Sequence, residues 1–323
     1  MNAAKKPSVP NVRAAHATNL GGRPLDGVVR ALFETTWGSA RGWIESGKVA
    51  LDGEVVNDTL RRVREGAEVT LTMTARRSPR RGELGDERIV HCDPHLIVVD
   101  KPSGVSTVPY EEGEEGTLEE LVRKYLHRIA GRERDGGRPA LGVVHRIDKE
   151  TSGLVVFTRT WLAKQSLSSQ FRAHTVHRRY LALANGIVTS QTFRTHLIEN
   201  RGDGLRGSLE AKTRRGVPIS AGQLAVTHVE ALEVLANGRA TLIACRLETG
   251  RTHQIRIHLS EAGHPLAGER VYSRGHDPAK LVPAPRLMLH AAELGFVHPA
   301  TEREVKWTSE PPGDFASVLA RLK

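Results

Sequence analysis

Cysteine, aromatic residues and long apolar runs are all scarce in this sequence, and each shortage removes a class of protein. Only Cys92 and Cys245 occur among the 323 residues. Two thiols that far apart build neither a disulfide framework nor a structural zinc site, and they suit a reducing compartment. No apolar stretch approaches the ~20 residues that a membrane helix needs. Residues 1–10 carry Lys5 and Lys6 with no apolar segment behind them, which is not the layout of a secretory signal. The expectation is a cytoplasmic protein with no membrane contact, and no obligate protein partner is evident.

Several common catalytic kits are missing as well. No complete Gly-x-x-x-x-Gly-Lys-Ser/Thr phosphate cradle occurs, and no dinucleotide fingerprint sits inside a βαβ pattern. The Gly-x-Ser-x-Gly turn of serine hydrolases is absent. Zinc-dependent base deamination needs a Cys-x-x-Cys pair, which two lone cysteines cannot supply. Histidine is plentiful, but His253 and His258 are five apart on an expected helix and so diverge around it. His174 and His177 are better spaced, yet lie among arginines that disfavour another cation. No metal and no cofactor are expected.

What is present is positive charge. The net charge is +10, with an isoelectric point near 9.9. Such a surplus favours a polyanion, because every phosphate neutralised by Lys or Arg releases condensed counterions. Residues 1–81 hold 14 lysines and arginines against 8 acids, more than half of the net charge in a quarter of the length.

Length favours roughly two domains. Residues 1–19 lack apolar periodicity and read as a flexible basic tail. Over 20–75, Leu25, Val28, Val29 and Leu32 recur at helical spacing, a second short helix carries Trp43 and Ile44, and Gly47 closes it. Val49 to Leu51, Asp52-Gly53 and Glu54 to Val56 form a small hairpin, followed by a strand from Glu68 to Thr72. Residues 76–87, opening on four arginines in six residues, read as a linker. The second domain covers 88–323. Its strands are 95–100, 154–157, 180–184 and a long hairpin, 226–235 with 239–247, turning at Asn237-Gly238. A late hairpin surrounds Pro299. Helices are expected over 161–171, over 253–262 and from Asp314 onward, while 111–120 reads as an acidic, solvated loop. Hairpins mixed with helices indicate an α+β domain on a mixed, largely antiparallel sheet with flanking helices, preceded by a small α/β domain.

One segment stands out: His145-Arg146-Ile147-Asp148-Lys149-Glu150-Thr151-Ser152-Gly153, a polar turn between apolar runs. Read alone, it is a turn rich in residues that cap backbone amides. In company it says more. It resembles the HRLDxxTSG signature of the RluA family of pseudouridine synthases, with Ile147 for the usual Leu. Arg179-Tyr180-Leu181-Ala182 with Gly186 resembles that family's second motif. Leu247-Glu248-Thr249-Gly250-Arg251-Thr252-His253-Gln254-Ile255-Arg256-Ile257-His258 is similar to its third, and His264-Pro265-Leu266, Gly268 and Leu289-His290-Ala291 also fit. The likeness spans about residues 88–310. Residues 20–75 resemble the S-four RNA-binding domain through Arg23 to Asp26, Trp43-Ile44, Gly47-Lys48-Val49 and Gly53. Asp52 replaces the more usual Asn there, a change expected to weaken a turn contact slightly.

The resemblance implies an enzyme that isomerises uridine to pseudouridine in structured RNA. Ribosomal RNA of the large subunit is favoured, and transfer RNA is an alternative. The reaction breaks C1′–N1, rotates the uracil and joins C1′ to C5, so it needs no cofactor. Asp148 is implied as the catalytic carboxylate, either attacking C1′ or removing the C2′ proton. Glycoside hydrolysis uses two carboxylates, whereas here no second acid stands out. By the same implication Arg256 pairs with Asp148, Tyr180 stacks on the extracted uracil, and Arg146 fills the gap it leaves or binds phosphate. His145, Arg251, Arg41 and Lys48 are further expected RNA contacts. Ile255 and Ile257 should pack beneath the site, and the Lys101-Pro102 turn should shape its rim. The competing expectation is a non-catalytic RNA-binding or ribosome-assembly protein on the same scaffold.

Overall fold

Leu25, Val28 and Val29 share one face of helix α1 (Leu25–Leu32) and are buried against Ala40 and Ile44 of α2 (Trp37–Glu45). Thr36 caps α2 by accepting the Ser39 amide. These helices belong to the first of two compact units, Met1–Gly85 and Asp86–Lys323, in a computed structural model that describes residues 12–56, 58–74, 83–130, 140–211 and 222–323.

Asp52 and Gly53 both have positive φ, which makes the tight turn between β2 (Val49–Leu51) and β3 (Glu54–Val55). Asp52 is itself tied into the turn. One of its oxygens accepts the Glu68 amide and the other meets Arg64 at 3.0 Å. Strand β4 (Glu68–Thr72) pairs with β2 on one side and with β1 (Val12–His16) on the other. Strand β1 corrects the reading of 1–19 as a tail; residues 1–11 lie outside the described residues. Its mixed side chains show no apolar period, and pairing with β4 orders it instead. The arginine-rich run of the expected linker, through residue 82, also lies outside the described residues. Its last part is no free linker, since Leu84 is buried and Asp86 pairs with Arg128 at 2.6 Å.

The second unit is built on one sheet. From one edge the order is β11 (Gly207–Ser208), β10 (Gln191–Ile198), β12 (Gln223–Leu235), β13 (Ala240–Leu247) and β9 (His177–Asn185). It continues through β14 (Leu289–Val297), β8 (Ser152–Thr158), β6 (Leu96–Lys101) and β5 (Ile89–Cys92). Strand β7 (Gly142–Val143) adds to β8, and β15 (Glu304–Thr308) to β14. Among the described pairings only β8 with β14 is parallel, so the sheet is mixed and largely antiparallel as expected.

That parallel seam explains one glycine. Gly153 lies opposite Ala291, and a Cβ on it would fall 2.3 Å from the Ala291 carbonyl oxygen. With φ at +109° as well, only glycine fits. The Thr-Ser-Gly pattern is thus a packing requirement where the polar turn enters the sheet.

Helix α4 (Trp161–Arg172) sets Leu167 against Leu96, Leu154 and Val156, and α6 (Gly313–Leu322) sets Phe315 and Val318 against Leu183 and Met288. The acidic loop expected over 111–120 ends early. Helix α3 (Leu118–Ala130) starts inside it and buries Leu118, Leu121, Val122 and Leu126, with Glu119 and Glu120 in the first turn, where carboxylates suit the helix dipole.

Helix α5 (Gln254–Glu261) is buried along most of its length. Its His258 bonds the hydroxyls of Thr195 and Thr227 at 2.9 Å each and stacks on Phe193. Burial pulls the His258 pKa down to about 4, against a weak opposing pull from Glu210. Between pH ~6.5 and ~4 the unfolded chain therefore takes up a proton that the folded chain refuses, and stability falls as pH drops through that window, by up to roughly 3 kcal/mol from this group. Urea unfolding of His258→Gln should show a flatter fall from pH 6.5 to 4 than the parent protein. An unchanged slope would assign that acid sensitivity to other groups.

Candidate active site

The turn between β7 and β8 is anchored from below. Lys101, fully buried, directs its ammonium at the carbonyls of Pro102, Val105 and Lys149, at 3.0, 2.7 and 3.0 Å. Burial lowers its pKa to about 7, opposed by the carboxylates of Asp148 and Glu150. Lys101 is therefore a pillar under the turn, which corrects the expectation that it shapes a rim. The Thr107 hydroxyl donates to the Ile147 carbonyl at 2.8 Å, and the Thr151 amide donates to the Asp148 carbonyl. His145 faces inward: Nε2 accepts the Val156 amide and the ring stacks on Phe171. His145 nevertheless lines the cavity, and burial, then Arg178, lowers its pKa to about 3.

Asp148 opens into a cavity of about 440 Å³ whose lining includes Tyr180, Arg178, His253 and Arg256. The three residues expected to act together thus share one cleft. Arg256 Nη1 lies 3.5 Å from Asp148 Oδ2. Its tighter partner is Glu269, held by two bonds of 2.7 and 2.9 Å. The Glu269 side chain is 0% exposed, and its Oε1 also accepts the amides of Val271 and Tyr272. Burial raises its pKa, but Arg256 and the amides outweigh that and leave it lowered. Glu269 is outside the cavity lining and serves as the counter-ion of Arg256, a role visible only once the two lie side by side. Ile255 and Ile257 are buried in α5.

His253 is a further member of the site, one to which the motif resemblance assigns no role. It sits at the start of α5 with φ +57°, bonds the Tyr272 hydroxyl through Nδ1 at 2.8 Å, and places Nε2 4.0 Å from Asp148 Oδ1. Burial lowers its pKa against the pull of Asp148, so it meets the carboxylate as a neutral imidazole. Two polar atoms of the lining, Thr151 Oγ1 and Arg178 Nε, are buried without a hydrogen-bond partner among the described residues.

The expected RNA contacts are spread out. Arg146 is exposed on the turn and has no ion pair among the described residues. Arg251 lies on the rim, with Nε donating to the Leu224 carbonyl. Arg41 and Lys48 belong to the first unit. Arg41 pairs with Asp26 at 2.9 Å and lies over the Trp37 ring, and Lys48 is half-buried after α2. Gly42, Gly47 and Lys48, and likewise Gly202, Gly204 and Gly207, have the spacings of phosphate-binding turns but fall at the end of α2 and in the β10–β11 hairpin, so neither is a strand-to-helix phosphate turn.

Away from the cleft, ligand atoms of His91, Asp93 and His298 lie within 4.8 Å of one another, a grouping the sequence did not announce. His298 Nδ1 accepts the amides of Ala300 and Thr301, so Nε2 carries the proton and donates to Asp93 at 2.8 Å. A metal would need that lone pair, and the arrangement fits a hydrogen-bonded triad better.

The family model described as RNA pseudouridylate synthase matches residues 95–261, and the S4 domain model matches residues 23–69. Ribosomal large subunit pseudouridine synthase D of Pseudomonas aeruginosa is 34% identical over 324 residues, covering 94% of this chain and 93% of that protein. The protein of the same name from Zymomonas mobilis is 38% identical over 239 residues, 72% of each chain. Among solved structures, human RNA Pseudouridylate Synthase Domain Containing 4 shares the fold, with a TM-score of 0.55 at 22% identity over 73% of this chain and 93% of that one.

Proposed function

The chain belongs to the RNA pseudouridylate synthase family, with an S4 domain ahead of the catalytic one, and on that footing we propose that it isomerises uridines of large-subunit ribosomal RNA with Asp148 as its catalytic carboxylate. The observation that carries this reading is the Asp148 carboxylate 3.5 Å from a buried guanidinium, in the cavity that Tyr180 also lines. An ionised carboxylate can attack C1′ or take the C2′ proton, and Arg256 favours the charged form in either case. The isomerisation loses no atoms and changes no oxidation state, so it calls for no cofactor.

Tyr180 supplies a face for the everted uracil. Burial raises its pKa, opposed by Arg178, so the phenol stays protonated. Thr151 Oγ1 and Arg178 Nε offer unmet polar capacity in the wall of the same cavity. Arg146, free of ion pairs among the described residues, fills the vacated stack or holds phosphate. The target class follows the large-subunit pseudouridine synthases that the chain resembles, with transfer RNA as the alternative. The cytoplasm, where such RNA is made, is the fitting compartment.

Mapping pseudouridines in cellular RNA with and without the gene tests the reading. The expected result is loss of one or more sites in large-subunit RNA. Loss confined to transfer RNA would move the target, and no loss anywhere would refute the activity. Removing residues 1–85 should weaken RNA affinity and shallow its dependence on salt, since phosphate contacts set that slope. An equal slope would take the RNA role away from the first unit.

A further inference from the structure

A second cavity, of about 670 Å³, adjoins the first, and Arg146, Ile147, Asp148 and His253 line both. Its far wall is the loop that the sequence presented as solvated acid, with Tyr110, Glu111, Glu112 and Glu114. Tyr110 is 81% exposed, which is unusual for a large ring in a chain where aromatics make up 4%. Its backbone is not loose. Glu114 Oε2 accepts the Tyr110 amide at 2.8 Å, while Oε1 accepts the Ser106 hydroxyl at 2.6 Å and faces Lys149 Nζ at 3.4 Å. Thr107 ties the same loop to Ile147. The backbone that carries the ring is thus tied to the catalytic turn, and the ring itself is exposed.

The groove carries both signs of charge. Glu111 and Glu112 follow Tyr110 in the chain, and Arg146 and Arg206, the latter paired with Glu199 at 3.1 Å, also line the groove. Carboxylates repel phosphate but accept hydrogen bonds from exocyclic amino groups of bases, while arginines hold phosphate. A nucleotide laid in this groove therefore turns its base toward Tyr110 and its backbone toward the arginines.

We propose that this groove is the subsite for an unpaired nucleotide next to the reacting uridine, with Tyr110 as the platform on which its base stacks and Arg206 as a backbone contact. The proposal rests on the RNA-isomerase reading of the Asp148 cleft and adds to it a residue that sets sequence context. Tyr110 acts through its ring face, so phenylalanine suffices there.

The test reads stacking separately from turnover. Full-length protein is titrated into short RNA hairpins whose loop carries a uridine, with fluorescent 2-aminopurine placed one position at a time on either side. Quenching is expected at one flanking position and is retained by Tyr110→Phe. With Tyr110→Ala that quenching disappears and affinity falls roughly 5- to 100-fold. If Tyr110→Ala binds and quenches at every label position like the parent, the subsite does not exist. If Tyr110-dependent quenching is found but no RNA contains pseudouridine made by this protein, the isomerase reading fails while the stacking platform stands.

Discussion

Asp148→Asn should lower the rate of pseudouridine formation roughly ten-thousandfold or more, while RNA affinity stays within a few-fold and the melting temperature barely moves. Loss of a reacting carboxylate leaves binding contacts in place, so the defect belongs in turnover. The expectation that the fold survives comes from the geometry around Arg256. Its two short bonds go to Glu269, whereas Asp148 is 3.5 Å away and partly exposed, so neutralising Asp148 strands no buried charge. Single-turnover kinetics and thermal melting of the same preparation check both halves. Turnover within about a hundredfold of the parent would remove Asp148 from the chemistry.

Arg256→Met should do two things at once. It leaves the Glu269 carboxylate, 0% exposed, without its cation, which costs about 3–5 kcal/mol of stability. It also takes away the nearest positive charge from Asp148, for which a turnover loss of roughly 100- to 1000-fold is expected. Adding Glu269→Gln separates the two effects. The amide oxygen can still accept the Val271 and Tyr272 amides, and no buried charge remains, so the double variant should recover much of the stability and little of the activity. Denaturant unfolding and turnover, measured on both singles and the double, complete the cycle. Recovery of turnover together with stability would reduce Arg256 to a packing role.

Legibility followed the range of the interactions. Helices α1 and α2 were readable from spacing because their apolar faces are set within a few residues, and the Asp52-Gly53 turn from the positive φ it needs. Strand β1 was not readable, since Val12–His16 carries little apolar signal and depends on a partner more than fifty residues away. Strand β10 escaped for a related reason, its alternating Thr, Arg and His residues being ordered by pairing with β12 rather than by a buried face. Helix α3 was hidden because an acidic, glycine-bearing run precedes its apolar stripe.

The same division holds in the cleft. The turn that carries Asp148, the strand of Tyr180 and the helix of Arg256 could all be located in the linear chain, because turn chemistry and side-chain periodicity are local properties of the backbone. That Arg256 is gripped by Glu269, that Lys101 stands under the turn and that Tyr110 looks across a second groove depended on strand order, above all on the parallel seam between β8 and β14. Arg256 and Asp148 are 108 positions apart, and no local preference of the chain brings two such charges within 3.5 Å. Folding of the sheet does so, by burying apolar strands whose order in space is not their order in sequence.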